Sequence, residues 1–367
     1  MSVDFIKEWQ DVLEIKNGRD YKKVKDDNGE YPIYGSGGIM GHANDYICPP
    51  HTVIIGRKGS INNPIYVKTK FWNVDTAFGL VANPNYLYPK YLYYFCVDFN
   101  FEKLNTTVTI PSLTKSNLLK IKMKLPNIED QKKIADILDK TQEIIDGHKK
   151  QLEELDYLIE ATFYDMFGDP ILNEKDWEKV PLSKKVDVIG GYAFKSGGYV
   201  EDGIPVIKIG NINSGTFKNE GISFWTEDSK LTKYIVYPND IVISLTGTVG
   251  KDDYANVCVL PNTFPKYYLN QRNAKLEIKN PLNTRYLQYL LKDKEIKRKL
   301  TGISRGIRQA NISNGDILNL IIPFPPLELQ NKFAEIVLKI EEKKSIVKQS
   351  ITESQNLFNS LMGKYFD

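Results

Sequence analysis

Cysteine and histidine are scarce in this chain, with three of each in 367 residues. Cys48, Cys96 and Cys258 lie far apart and form an odd set, so a disulfide scaffold is not expected and a reducing compartment fits. The three histidines leave little for a metal site, and no His-Glu-x-x-His or Cys-x-x-Cys pattern occurs. A phosphate-binding loop is missing, which argues against nucleotide-driven motor activity. Gly35-Ser36-Gly37-Gly38 fits no dinucleotide fingerprint and reads as a turn. The Asn/Asp-Pro-Pro-aromatic tetrad with which amino-methyltransferases hold a base is also missing. Asn63-Pro64-Ile65 and Asp169-Pro170-Ile171 lack its second proline and its aromatic. Asp252 and Asp253 could imitate a nuclease, but no lysine at the right spacing in a strand supports them. No apolar run approaches the ~18–20 residues that span a bilayer. The charged start, from Met1 to Glu8, has no signal-peptide core, so a cytoplasmic location is expected. These absences leave binding surfaces rather than a reaction centre.

What is present is enough to fold. A hydrophobic fraction of 41% excludes a disordered or low-complexity chain. The length suggests two or three domains, since single cores stop growing near ~250–300 residues. Self-similarity then organises the chain. Leu125-Pro126-Asn127-Ile128-Glu129-Asp130-Gln131 and Phe324-Pro325-Pro326-Leu327-Glu328-Leu329-Gln330 are related by an offset of 199 positions. At that offset Ala135/Ala334, Ile137/Ile336, Glu154/Glu353, Leu158/Leu357 and Phe167/Phe366 are identical.

Both stretches read as long helices, with proline at the start and none inside. In the first, Ile134, Leu138, Thr141, Ile145, His148, Leu152, Leu155, Ile159, Thr162 and Met166 follow a 4-3 progression. In the second, Phe333, Val337, Ile340, Lys344, Val347, Ile351, Ser354, Phe358, Leu361 and Tyr365 do the same. That period is the seam of a coiled coil, and the shared register favours mutual pairing. Two amphipathic helices packed on separate cores are the alternative. His148 and Lys344 are polar seam residues of the kind that fixes register.

The intervening parts, 1–125 and 176–325, hold short β-prone runs broken by Gly, Pro, Asn and Asp. They repeat more loosely. Trp9-Gln10-Asp11-Val12 is expected to match Trp177-Glu178-Lys179-Val180, and the run from Val53 to match that from Val242. Tyr91-Leu92 and Tyr286-Leu287 are expected on matching short helices. The net charge of +3 hides segregation. Counted by region it is +4 for 1–126, −7 for 127–175, +6 for 176–325 and 0 for 326–367. Both globular parts are basic, and several cations lie in Gly/Ser/Thr/Asn-rich loops. Arginine suits guanine, Asn or Gln suits adenine, and Ser, Thr and loop N–H groups suit phosphates.

The order of globular part, P-x-x-x-x-Q-x-x-I-A-x-I-L helix, globular part and P-x-x-x-x-Q-x-x-F-A-x-I helix resembles the DNA specificity subunit of type I restriction–modification enzymes. The resemblance covers essentially the whole chain. The polar loop Gly306-Ile307-Arg308-Gln309-Ala310-Asn311 is similar to a family segment, whereas Val108-Thr109-Ile110-Pro111-Ser112-Leu113 departs from it. The resemblance implies an α+β fold of two mixed α/β target-recognition domains separated by two long helices. These would form an antiparallel coiled coil with pseudo-twofold internal repeat. The expected boundaries are 1–126 and 171–325 for the recognition domains, and 127–170 and 326–367 for the spacer helices. Each domain would read half of a split duplex sequence. The helices would act as a ruler, holding half-sites about one turn apart, roughly 34–36 Å. Two methyltransferase subunits would bind, and restriction/motor subunits would complete the enzyme. S-adenosylmethionine, ATP and Mg would serve those partners, with no catalysis or cofactor in this chain. The DNA-contacting residues expected are Arg57, Lys58 and Ser112 in the first domain. In the second they are Lys208, Thr246, Thr248, Arg305, Arg308 and Gln309. A self-contained restriction endonuclease/methyltransferase and a coiled-coil protein-interaction scaffold are the competing classes.

Overall fold

The computed structural model describes residues 5–105, 112–248, 253–279, 281–302 and 309–366, without the side chain of Gln309. Two compact units result, Met1–Gln151 with Val347–Asp367, and Leu152–Ile346. Each joins one globular part to half of each long helix, Ile128–Phe167 and Leu327–Phe366.

In the first unit, strands Leu13–Asn17, Ala77–Ala82, Thr52–Gly56 and Ile65–Val67 form an antiparallel sheet in that order. Thr52–Gly56 is central and buried along its whole length, as a strand covered on both faces must be. Its one polar side chain, Thr52, donates its hydroxyl to Pro49 O at 2.7 Å. A smaller sheet sets Tyr31–Gly35 between Gly38–Ala43, its hairpin partner, and Trp72–Asn73, which runs parallel to it. The Gly35–Gly38 segment is the hairpin turn, with φ of +122° at Gly38. Phe5–Glu8 pairs with Lys122–Leu125, which leads straight into the first long helix.

The second unit repeats this plan. Val186–Gly190, Asn273–Ile278, Ile241–Ser244 and Val257–Val259 take the same order in the same antiparallel sheet. Ile204–Ile207 lies antiparallel to Ser223–Trp225 and parallel to Tyr267–Leu269, with Ile235–Val236 added beyond. Glu178–Pro181 pairs with Ile321–Phe324 ahead of the second long helix.

Single hydrogen bonds fix the correspondence residue by residue. Trp9 N–H donates to Ile121 O at 2.9 Å, and Leu182 N–H to Leu320 O at 2.8 Å. Leu113 N–H donates to Arg57 O, and Ile312 N–H to Leu245 O, both at 2.9 Å. The 199 offset therefore begins before the helices, at Leu113/Ile312. It also corrects one expectation: the partner of Trp9 is the buried Leu182, not Trp177. Trp177 sits five positions earlier and donates its indole N–H to Phe167 O at 2.8 Å. Likewise Arg57 matches Leu245, which aligns Val53 with Ile241 rather than Val242.

The buried glutamine of the repeated motif joins helix to head. Gln131 Oε1 accepts from Tyr88 N–H, and its Nε2 donates to Tyr86 O and Pro126 O, all at 2.8 Å. Gln330 Oε1 accepts from Asn283 N–H at 2.9 Å, and its Nε2 donates to Pro325 O at 2.8 Å. Tyr88 and Asn283 are the N-cap residues of the short helices Pro89–Asp98 and Thr284–Lys292. Each glutamine thus satisfies an N–H of the loop entering a short helix while it anchors the long one. Tyr91 OH donates to Lys124 O and Tyr286 OH to Pro323 O, another pair matched by the repeat.

All ten seam positions of each long helix are buried or half-buried. In the first unit Leu138 and Ile145 cluster with Phe358 and Met362. In the second, Phe163 and Phe167 meet Phe333 at ring-centroid distances of 5.6 and 5.3 Å. Lys344 Nζ reaches Asp156 at 2.6 Å and Glu341 at 3.2 Å, so the two helix halves there run antiparallel. His148 leaves Nδ1 buried without a hydrogen-bond partner.

Candidate nucleic-acid interface

The candidate site forms at one end of the paired sheets, because their strands arrive there together. In the first unit Tyr31–Gly35 and Trp72–Asn73 run in parallel toward that end. The chain turns through Val74, Asp75 and Thr76 and returns as Ala77–Ala82, antiparallel to Thr52–Gly56. Val74 N–H donates to Tyr34 O at 2.9 Å, and Arg57 N–H to Thr76 O at 2.8 Å. One turn therefore ties the hairpin tip to the basic loop that starts at Arg57. Lys58 then forms a bridge with Ser112. Arg57, Lys58 and Ser112, separated by more than fifty positions in sequence, come together. Arg57 and Lys58 are exposed, and the Arg57 guanidinium lies 5.7 Å from the centre of the buried Phe78 ring. Gly56 is required here, since a Cβ would meet Ser60 O at 2.3 Å.

The second unit builds the same end with other residues. Asn270 N–H donates to Ile207 O at 3.1 Å, and Leu245 N–H to Arg272 O at 2.8 Å. Thr246–Thr248 pairs antiparallel with Gln309–Asn311. Thr248 donates its N–H and its hydroxyl to the Asp253 carboxylate, at 2.7 and 2.8 Å. Gly247 permits the approach, because a Cβ would lie 2.3 Å from Asp253 Oδ1. Lys208 follows directly on Ile207 and belongs to the same end. Its Nζ donates to Ser223 Oγ at 2.6 Å and lies 4.4 Å from the Tyr199 ring centre. These contacts hold the ammonium against its own hairpin. Arg305 and Arg308 lie outside the described residues.

The turn that joins the two sheets carries no signal in the sequence. It carries the exposed side chains of Gln271 and Arg272 in the second unit and of Asp75 in the first. A lone polar triplet between two strands gives no periodic signal, and only the strand directions bring it beside Thr246 or Arg57.

Among the described residues no group of three or more His, Cys, Asp or Glu is placed to hold a metal ion. No described helix is long and apolar enough to cross a membrane. The three thiols are buried, and burial pushes Cys48 up to about 12 and Cys258 up to about 11. They are poor nucleophiles in the folded state.

Two equivalent mixed α/β heads, each with polar loops gathered at one sheet end and clamped to paired long helices, define the class of fold. The profile described as "Type I restriction modification DNA specificity domain" matches residues 6–157 and 174–354. The chain belongs to that family. It is 30% identical over 275 residues to the type I restriction enzyme MjaVIII specificity subunit of Methanocaldococcus jannaschii, covering 68% of this chain and 64% of that one. The matched stretch thus spans just under two thirds of that relative. A putative MjaX specificity subunit of the same organism is 25% identical over 396 residues, covering 94% of this chain and 90% of the relative. The crystal structure of the type I restriction–modification S subunit from M. genitalium superposes with a TM-score of 0.65 at 18% identity, covering 100% and 96% of the two chains. That likeness supports the α+β fold with two globular domains.

Proposed function

We propose that this chain is the sequence-specific DNA-binding subunit of a type I restriction–modification enzyme and carries no catalysis itself. Each head reads one half of a bipartite duplex site, and the long helices set the spacing. The observation that carries this reading is the duplicated sheet end. Lys58 and Thr246 stand at matching places in the two heads, paired with Ser112 and Asn311 respectively, while Arg57 in one head and Lys208 and Thr248 in the other add unlike polar groups at the same sheet end. One frame presenting two unlike polar surfaces suits two unlike half-sites. Cations and hydroxyls there neutralise and bond phosphates, and polar side chains reach base edges.

The helices supply a second kind of surface. Outside the seam, Ile137, Ile144 and Leu357 are exposed in the first unit, and Leu158 and Ile336 in the second. Ile137/Ile336 and Leu158/Leu357 are repeat mates. Exposed apolar side chains matched by the repeat fit two copies of one partner, the methyltransferase subunit. Restriction/motor subunits then complete a cytoplasmic assembly in which S-adenosylmethionine, ATP and Mg serve the partners.

The test is binding of the chain, assembled with its methyltransferase partner, to a randomised duplex library. Enrichment of a two-part sequence with a fixed gap, weakening as salt rises, is the expected result. Enrichment of no sequence, or of a single uninterrupted one, would overturn the reading.

A further inference from the structure

We propose that the turn joining the two sheets is a base-reading element in each head. Arg272, flanked by Gln271, reads a guanine in the second half-site, and Asp75 reads the amino group of a cytosine in the first. The inference rests on the DNA reading above and names side chains that reading does not use.

The turn is held far more firmly than its exposed side chains require. In the second unit Asn270 N–H bonds Ile207 O, Gln271 N–H bonds Tyr192 O at 2.9 Å, and Asn273 N–H bonds Asn270 O at 2.9 Å. Arg272 N–H donates to Asn270 Oδ1 at 3.2 Å, while Arg272 O accepts from Leu245 N–H. The fully buried Asn273 donates its Nδ2 to Ile207 O at 2.9 Å. Beneath the turn lies a glycine, Gly191, whose Cβ would stand 2.3 Å from Asn270 O. The first unit has the same device. A Cβ on Gly18 would stand 1.7 Å from Val74 O, and Ala77 N–H bonds Val74 O at 3.0 Å. Gly18 and Gly191 each directly follow the first strand of the large sheet, Leu13–Asn17 and Val186–Gly190.

The backbone of this turn is therefore common to both heads, and what differs is what it displays. Val74-Asp75-Thr76 in one head stands where Asn270-Gln271-Arg272 stands in the other. Asp75, Gln271 and Arg272 are exposed beside the candidate loops, and the sign of charge reverses between heads. A rigid backbone with outward polar side chains is how a reading group is preorganised. A guanidinium can bond guanine O6 and N7 together, and a carboxylate can only accept, as from cytosine N4. A carboxylate facing phosphate would be repelled, so Asp75 on a DNA-facing turn suits a base edge.

The test uses the full chain assembled with its methyltransferase partner, selected on randomised duplex, with Arg272→Ala, Arg272→Lys and Asp75→Ala compared to the unchanged chain. Arg272→Ala should lose about 5- to 140-fold of discrimination at one base pair of one half-site. Asp75→Ala should relax one position of the other half-site only. Lysine keeps the charge but not the fork, so Arg272→Lys should lose less discrimination than Arg272→Ala, and an Arg272→Ala variant that retains full discrimination would overturn base reading in favour of a phosphate contact. Uniform weakening across all sequences, or no change, would overturn it as well. Melting temperatures equal to that of the unchanged chain establish that these exposed substitutions leave folding intact. If the unchanged chain selects no bipartite sequence, the DNA reading itself fails. If it does and the variants match it, only this inference fails.

Discussion

Replacing Gln131 by alanine tests the joint between head and helix. Its amide makes three hydrogen bonds, to Tyr88 N–H, Tyr86 O and Pro126 O, and the residue is fully buried. Alanine leaves the Tyr88 N–H and two carbonyls without that partner. An unsatisfied buried polar group costs about 1–3 kcal/mol, and the vacated volume adds to it. A loss of about 2–4 kcal/mol is expected against a total stability of about 5–15 kcal/mol. For a unit of this size each kcal/mol lowers Tm by about 2–4 °C, so the shift should be roughly 4–16 °C. Gln330→Ala breaks two such bonds and should cost less. Calorimetry of the full chain reads the shift, and hydrogen exchange assigns it. Gln131→Ala should loosen residues 86–91 and 126–135, and Gln330→Ala residues 283–288 and 325–334. Melting within 1 °C of the unchanged protein for both variants would show that neither glutamine holds its helix to its head.

Other outcomes follow from the same contacts. Gly18→Ala places a methyl on Val74 O and Gly191→Ala one on Asn270 O, so each should cost about 1–3 kcal/mol. Each should blur one half-site, and a variant that blurred both would contradict separate heads. Lys344→Met should change stability by less than about 1 kcal/mol, because Asp156 stays mostly hydrated when its partner is lost; a larger loss in urea unfolding would show the pair to be essential. At pH 8 the Cys48 thiolate is roughly one part in ten thousand, so native labelling by a thiol reagent should be slow and denatured labelling complete. Thiols raised by folding hold protons that the unfolded chain loses from about pH 9, so stability should fall between pH 9 and about 11. A stability curve that is flat or rising there would contradict buried thiols. Lys58→Ala should weaken binding alike on all sequences and lower the salt slope by about 1; a sequence-selective loss would instead make Lys58 a base reader.

Much of this fold was legible in the sequence because its signals are periodic. The 199 offset and the 4-3 apolar spacing need only counting, and the seam residues from Ile134 to Met166 and from Phe333 to Tyr365 are withdrawn from solvent. The heads were read less well. Trp9 and Trp177 look alike, but the bond from Leu182 N–H to Leu320 O shows that the chain enters the second head five residues further on. The loops at Arg57 and Thr246 could be chosen from composition. Their convergence with Ser112 and Gln309 depends on strand pairing more than fifty positions apart. The turn at Arg272 gave no signal at all, since its importance comes from the directions of the strands it connects.

Separate reading of the two half-sites by the two heads underlies the proposed function. Its most direct test replaces residues 1–125 with the corresponding head of another family member and sequences the methylated genome of the host. One half of the methylated sequence should change while the other half and the gap stay as they were. A change in both halves, or in neither, would contradict it.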